Sequence, residues 1–287
     1  MNSLEQRIFI NPITKDRELS ISSESFYDDL KFIQHEGIRI VSVGKTNFDW
    51  NKFYLLEHLT SIDGINFGEG TRDITDLSFL GIKKLSINGT KGLLTLSGLV
   101  NLEELFLVYE KGVIGLNFLQ SLKVFTFNNC RDKTFYWQEN FAGLVSLEKL
   151  EITDCFLPPG LDFLKNCQQL KELEIYLSPK PFRLQTLQHN SKLEKLILSQ
   201  CPHIQHKEDI LLLQTVKWLR LTDCGPIDDC ALFCNMPNLE VLIVTGKSYF
   251  VNGDLSGMMG RLKHFGFEKK RHYSHKPEDF PSIFRKE

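Results

Sequence analysis

The chain has 287 residues, of which 42% are hydrophobic, and its formal net charge is −2. It therefore lacks the basic surplus that general attraction to nucleic acid or an anionic membrane requires. The opening MNSLEQRIFINP has no basic stretch followed by a long apolar run, and nowhere do about 18 apolar residues stand together, so neither a signal peptide nor a membrane span is expected and the expected compartment is the cytoplasm.

In chain order, residues 1–18 match no repeat and are expected to cap the N-terminal end, with Ile8, Phe9 and Ile10 supplying a short strand or staple. A degenerate strand follows around Leu19 and Ile21. The stretch 24–35, ESFYDDLKFIQH, places Phe26, Leu30 and Ile33 at helical spacing and predicts an amphipathic helix. Five similar segments then begin at Ile38, Ile62, Ile82, Leu102 and Leu122, and their fourth positions, Val41, Ile65, Leu85, Leu105 and Phe125, lie 24, 20, 20 and 20 residues apart. Between them, Leu93, Leu96 and Leu99 fit tight, partly 3₁₀ spacers. Residues 130–147 form a longer spacer carrying Phe135, Tyr136 and Trp137 in the run DKTFYWQEN, the main irregularity of the pattern.

From residue 147 onward the register is strict. LEKLEITDC (147–155) recurs at steps of 23 residues as LKELEIYLS, LEKLILSQC, VKWLRLTDC, LEVLIVTGK and LKHFGFEKK (262–270). Self-similarity at this period signals a solenoid, in which each turn is stable only against its neighbours. The frame resembles the leucine-rich repeat family, whose strand segment reads L-x-x-L-x-L-x-x-N/C; Cys130, Cys155, Cys201 and Cys224 stand at the N/C position. The resemblance implies an α/β leucine-rich repeat solenoid, a right-handed horseshoe with a concave parallel β-sheet of about twelve strands and short helices or 3₁₀ turns outside. It is read as a single domain 1–287: cap 1–18, repeats 19–270, C-terminal cap and tail 271–287. Seven cysteines, an odd number, fit reduced thiols better than a disulfide framework.

Strand alternation sends frame positions four and six inward and three, five and seven to the concave side. The fifth-position column runs Ser20, Ser42, Asn66, Ser86, Phe106, Thr126, Glu151, Glu174, Ile197, Arg220, Ile243, Gly266. Adding the neighbouring columns selects Phe106, Tyr109, Tyr176 and Trp218 as outward aromatic anchors among Glu151, Asp154, Glu174 and Arg220, between the fifth and tenth strands. Large rings ringed by charges are what binding hot spots are made of.

Catalytic and cofactor signals fail on inspection. Gly44-Lys45-Thr46 ends like a phosphate loop, but Arg39 stands where its first glycine belongs. Cys201, His203 and His206 cluster, as do His272 and His275, yet no second C-x-x-C completes a zinc site. Glu151, Glu172 and Glu174 on an open sheet lack a pocket to tune a carboxylate. No cofactor, metal or small-molecule substrate is expected.

The function expected is a non-enzymatic scaffold that captures one protein partner and acts by occlusion. Its size and single module look like a bacterial immunity protein neutralising a toxin, and the acidic middle of the sheet would suit a basic toxin domain such as a nuclease. The competing expectation is a substrate-recognition adaptor of the ubiquitin-ligase type, although residues 1–37 are short for a three-helix docking module.

Overall fold

Within each repeat the alternation of apolar and polar residues decides both the strand and the side it buries. The computed structural model describes residues 4–10, 16–43, 52, 55–56, 62–68, 71–72, 81–91 and 93–283. They fall into two compact units, 1–129 with 143–145 and 130–142 with 146–287. Gly44-Lys45-Thr46 and Phe284 lie outside the described residues.

In the first unit, β1 (Ile8–Ile10) runs antiparallel to β2 (Arg17–Ile21), with Ile8 opposite Leu19. The helix α1 (Phe26–Glu36) follows and stops at Gly37, whose positive φ closes its last turn. Then come β3 (Ile40–Val43), β4 (Gly64–Phe67), β5 (Lys84–Ile87), β6 (Glu104–Val108) and β7 (Val124–Asn128), all parallel and paired in chain order from β2. Their register sets Leu19, Val41, Ile65, Leu85, Leu105 and Phe125 in one buried row.

The second unit opens with a short helix α2 (Trp137–Phe141) and continues through β8 (Lys149–Thr153), β9 (Glu172–Tyr176), β10 (Lys195–Ser199), β11 (Trp218–Thr222), β12 (Val241–Thr245) and β13 (His264–Phe267). These strands are parallel and paired in chain order, and Leu150, Leu173, Leu196, Leu219, Leu242 and Phe265 form the equivalent row. Each leucine so buried contributes about 1.5–3 kcal/mol. The spacers return through short 3₁₀ segments of one to two turns such as Asp162–Leu164, Gln185–His189 and Lys207–Leu212.

The irregular spacer is core. Trp137 packs against Phe135, Phe141 and Phe163 with ring centroids 5.1, 5.5 and 4.7 Å away, and its indole N–H donates to the Phe156 carbonyl at 3.2 Å. Only Tyr136 of the three aromatic residues is exposed. The extra length of this spacer thus houses a cluster of rings behind the sheet.

One backbone conformation recurs at the strand exits, although Tyr109 and Lys269 do not adopt it. The eighth frame position is left-handed at Asn129 in the first unit and at Asp154, Leu177, Gln200, Asp223 and Gly246 in the second. The N–H groups of Asp154, Leu177, Gln200 and Asp223 each donate to the last strand residue of the next repeat, at 2.8–3.2 Å. One residue later the cysteine ladder turns inward. Cys155, Cys201 and Cys224 point their thiols at the carbonyls of Thr153, Ser199 and Thr222, and these cysteines together with Cys130 are free and buried. In the repeat ending at Lys247 the small polar side chain is supplied one place later by Ser248, whose hydroxyl accepts from the Cys224 N–H at 2.8 Å.

Both caps are built from side chains rather than from further repeats. Arg7 forks onto Asp29, with Nη1 at 2.8 Å and Nη2 at 2.7 Å, and Asp29 is fully buried. Ser25 Oγ and the Ser22 N–H also donate to that carboxylate. At the other end Phe280 covers Phe265 and Phe267, its ring 5.0 and 5.6 Å from theirs. Gly253 lies so close to the His272 carbonyl that a Cβ there would overlap it.

Candidate functional site

The fifth-position columns are straight in both units. In the first, Ser20, Ser42, Asn66, Ser86, Phe106 and Thr126 stand in register. Small side chains leave a hollow of about 230 Å³ lined by Asn66, Lys84, Ser86, Glu104 and Phe106 among others. Phe106 is half-buried beside it. Lys84 and Glu104 pair across adjacent strands at 3.3 Å, and the Ser42 hydroxyl donates to Glu18.

Tyr109 is not the outward anchor expected from the frame. It follows the last residue of β6, where the chain has already left the sheet, and its ring is 9% exposed with its edge against Phe127 at 5.8 Å.

In the second unit the expected acidic middle is a mixed lattice. Lys149 and Lys195 occupy the third column on either side of Glu172. Lys195 Nζ reaches Glu172 at 3.2 Å and Glu174 at 2.9 Å, while Lys149 Nζ stands 3.5 Å from each. Tyr176 completes the enclosure by donating its phenol to Glu174 at 2.6 Å, so Glu174 is 6% exposed and is not a free anionic contact. Burial would raise its pKa, but the hydrogen bonds of Tyr176 and Lys195 and the two lysine charges hold it below the ordinary range. Glu151 moves the other way: burial and then repulsion by Glu174 push it up, only partly offset by Lys149.

Two strands along, the face changes character. Trp218 and Arg220 share the outward side of β11, with Ile197 and Ile243 flanking Arg220 and Lys195 and Val241 flanking Trp218. Trp218 is half-buried, and its Nε1–H is buried and donates to no protein acceptor. Arg220 is exposed; its Nε donates to Thr222 Oγ1 at 3.1 Å.

Asp154 belongs to the rim and not to the sheet face. At the left-handed eighth position it turns away from β8 and accepts from Arg131 Nε at 2.9 Å and Nη2 at 2.6 Å. With Leu177, Gln200, His203, Asp223 and Lys247 it borders an open groove of about 690 Å³ along the strand ends.

The structure thus gathers Glu151, Glu174, Tyr176, Trp218 and Arg220 on one face of the second unit and places Phe106 on the first. Lys149 and Lys195 were missed as parts of that face, although the third column read beside the fifth carries the signal for both.

The histidine and cysteine clusters do not converge on one point. Cys201 is buried against backbone carbonyls, His206 turns to Glu208 at 3.0 Å, and His272 bonds the Phe250 carbonyl at 2.9 Å. Among the described residues no group of three potential ligands could hold a metal ion, and no helix is long and apolar enough to cross a membrane.

No family model and no curated protein matches the sequence. Among solved structures, an internalin from Listeria monocytogenes str. 4b F2365 superposes with a TM-score of 0.57 at 20% identity, covering 83% of this chain and 70% of that one. A leucine-rich repeat protein of Leptospira interrogans gives 0.44 at 14% identity, over 84% of this chain and 76% of its own. A complex of TLR13 with ssRNA13 gives 0.46 at 17% identity, and the match spans 49% of that chain. The repeat register and the internalin likeness together show a leucine-rich repeat solenoid fold with a long, mostly parallel sheet.

Proposed function

We propose that the chain is a non-enzymatic scaffold that captures a protein partner on the open face of its sheet. The observation that carries this reading is the outward side of β9 to β12. It presents a half-buried Tyr176 and Trp218 with an exposed Arg220, a combination typical of residues that dominate binding energies. An open lattice of paired charges offers no enclosed site for chemistry. The wider fold supports the reading, since stacked parallel strands make an extended rigid surface.

Within this reading the partner is a toxin domain held and blocked in the manner of an immunity protein. The step from an acidic sheet to a basic toxin loses its support, because Glu172 and Glu174 are already countered by Lys149 and Lys195.

Affinity purification with wild-type chain and with Trp218→Ala and Tyr176→Ala variants, followed by quantitative mass spectrometry, tests the scaffold role. One protein retained by wild type and depleted at least tenfold from both variants is expected. Equal retention by all three removes the sheet face from the proposal. Co-expression of that partner distinguishes the finer role: growth arrest relieved by wild type and not by the variants supports an immunity function, and a harmless partner contradicts it.

A further inference from the structure

The charges on the outward face of the second unit are not equally available. Lys149, Lys195, Glu172 and Glu174 satisfy one another at 2.9–3.5 Å. Arg220 stands apart: among the described residues its guanidinium makes no ion pair, and its single hydrogen bond goes to the neutral hydroxyl of Thr222. Its neighbours in register are Ile197 and Ile243, and two residues away on its own strand is Trp218. An unpaired guanidinium beside aliphatic side chains is a strong recognition element for a carboxylate, because a planar fork binds both oxygens at once and an apolar surround weakens competition from water.

The nearest carboxylates on this face do not fill that role. Glu174 is two strand spacings from Arg220, about 10 Å, and is engaged by two lysines and a phenol. Glu151 is three spacings away, about 14 Å, beyond the Debye length of about 8 Å at physiological salt. The buried Trp218 N–H is a second donor without an acceptor. Rotamer changes of the kind common at interfaces would bring it to a partner's oxygen.

We propose that the face around β11 recognises a polypeptide segment bearing an acidic side chain between aliphatic or aromatic residues, with Arg220 pairing the carboxylate and Trp218 packing beside it. This rests on the scaffold role above and gives the partner its chemistry at this point: anionic and apolar rather than basic. A lysine or arginine presented here would meet an uncompensated positive charge.

The test is selection of random twelve-residue peptides displayed on phage against the full chain, followed by synthesis of the enriched sequences. The expected consensus has Asp or Glu next to Leu, Ile, Phe or Trp. Arg220→Gln should weaken those peptides at least tenfold, with Arg220→Lys in between, while the melting curve stays as in wild type because Arg220 is exposed. The chain has three tryptophans, so its indole N–H signals are few. Binding should shift the signal that Trp218→Phe removes. A basic or uncharged consensus, an empty selection, or acidic peptides that bind Arg220→Gln as tightly as wild type overturns the inference. A basic consensus lost in Trp218→Ala would overturn this inference alone, whereas binders indifferent to Trp218→Ala, Tyr176→Ala and Arg220→Gln would also remove the sheet face as the capture surface.

Discussion

The phenol of Tyr176 donates to the carboxylate of Glu174 at 2.6 Å, two residues back on the same strand and on the same face. That contact ties an aromatic ring to a lattice in which Lys149 and Lys195 bracket Glu174 from adjacent strands. The ring is thereby held in one orientation before any partner arrives, which lowers the entropy lost on binding.

The lattice should show in the acid limb of stability. Glu174 is held below the ordinary carboxyl value of 4.5, so its contribution is present above that value and is lost as pH falls through its folded-state pKa. Wild type should exceed Glu174→Gln in urea-unfolding stability at pH 7, with the gap closing below about pH 4. A gap that stays constant through the acid range would show that Glu174 does not titrate as described.

Glu151 should behave oppositely. Its pKa is raised by burial and by Glu174, so its ionised form disfavours the folded state at neutral pH and that penalty disappears on protonation. Glu151→Gln should be as stable as wild type or more stable at pH 7. A clear loss of stability there would mean that the ionised carboxylate has a favourable partner.

At the N-terminal cap, Asp29→Ala should cost about 3–5 kcal/mol, since it strands the buried end of Arg7 without its counter-charge. The double change Arg7→Met with Asp29→Leu should regain most of the loss, because an apolar pair of similar volume escapes the desolvation cost. Chemical denaturation of the three variants measures both effects.

Leu177 occupies a left-handed corner with φ of 55° and is 45% exposed. A leucine there costs about 1–2 kcal/mol in backbone strain, against about 0.5–1 kcal/mol of extra chain entropy for glycine. Leu177→Gly should therefore be neutral to about 1 kcal/mol stabilising, and Leu177→Val destabilising. Thermal melts of the two variants check the sign.

The strands and their register were legible because a strict 23-residue step and two-residue alternation leave few ways to stack the repeats. The aromatic run at 135–137 was not legible as core, since it lies outside the frame and its burial depends on Phe163 in the following spacer. Frame position also marks direction but not depth. It sends Glu174 outward correctly, yet the enclosure of its carboxylate comes from residues 21 positions later and 25 earlier, Lys195 and Lys149. Tyr109 was misplaced because the frame was extended one residue past the end of its strand, where alternation no longer applies.

The open sheet face of the second unit is the proposed capture surface for a protein partner. The most direct measurement is calorimetric titration of the purified partner into wild type and Trp218→Ala. If Trp218 is an anchor worth about 2 kcal/mol or more, affinity falls at least roughly 30-fold in the variant while its melting temperature is retained. Unchanged affinity in Trp218→Ala, repeated in Tyr176→Ala and Arg220→Gln, would contradict the claim and move the interface off this face.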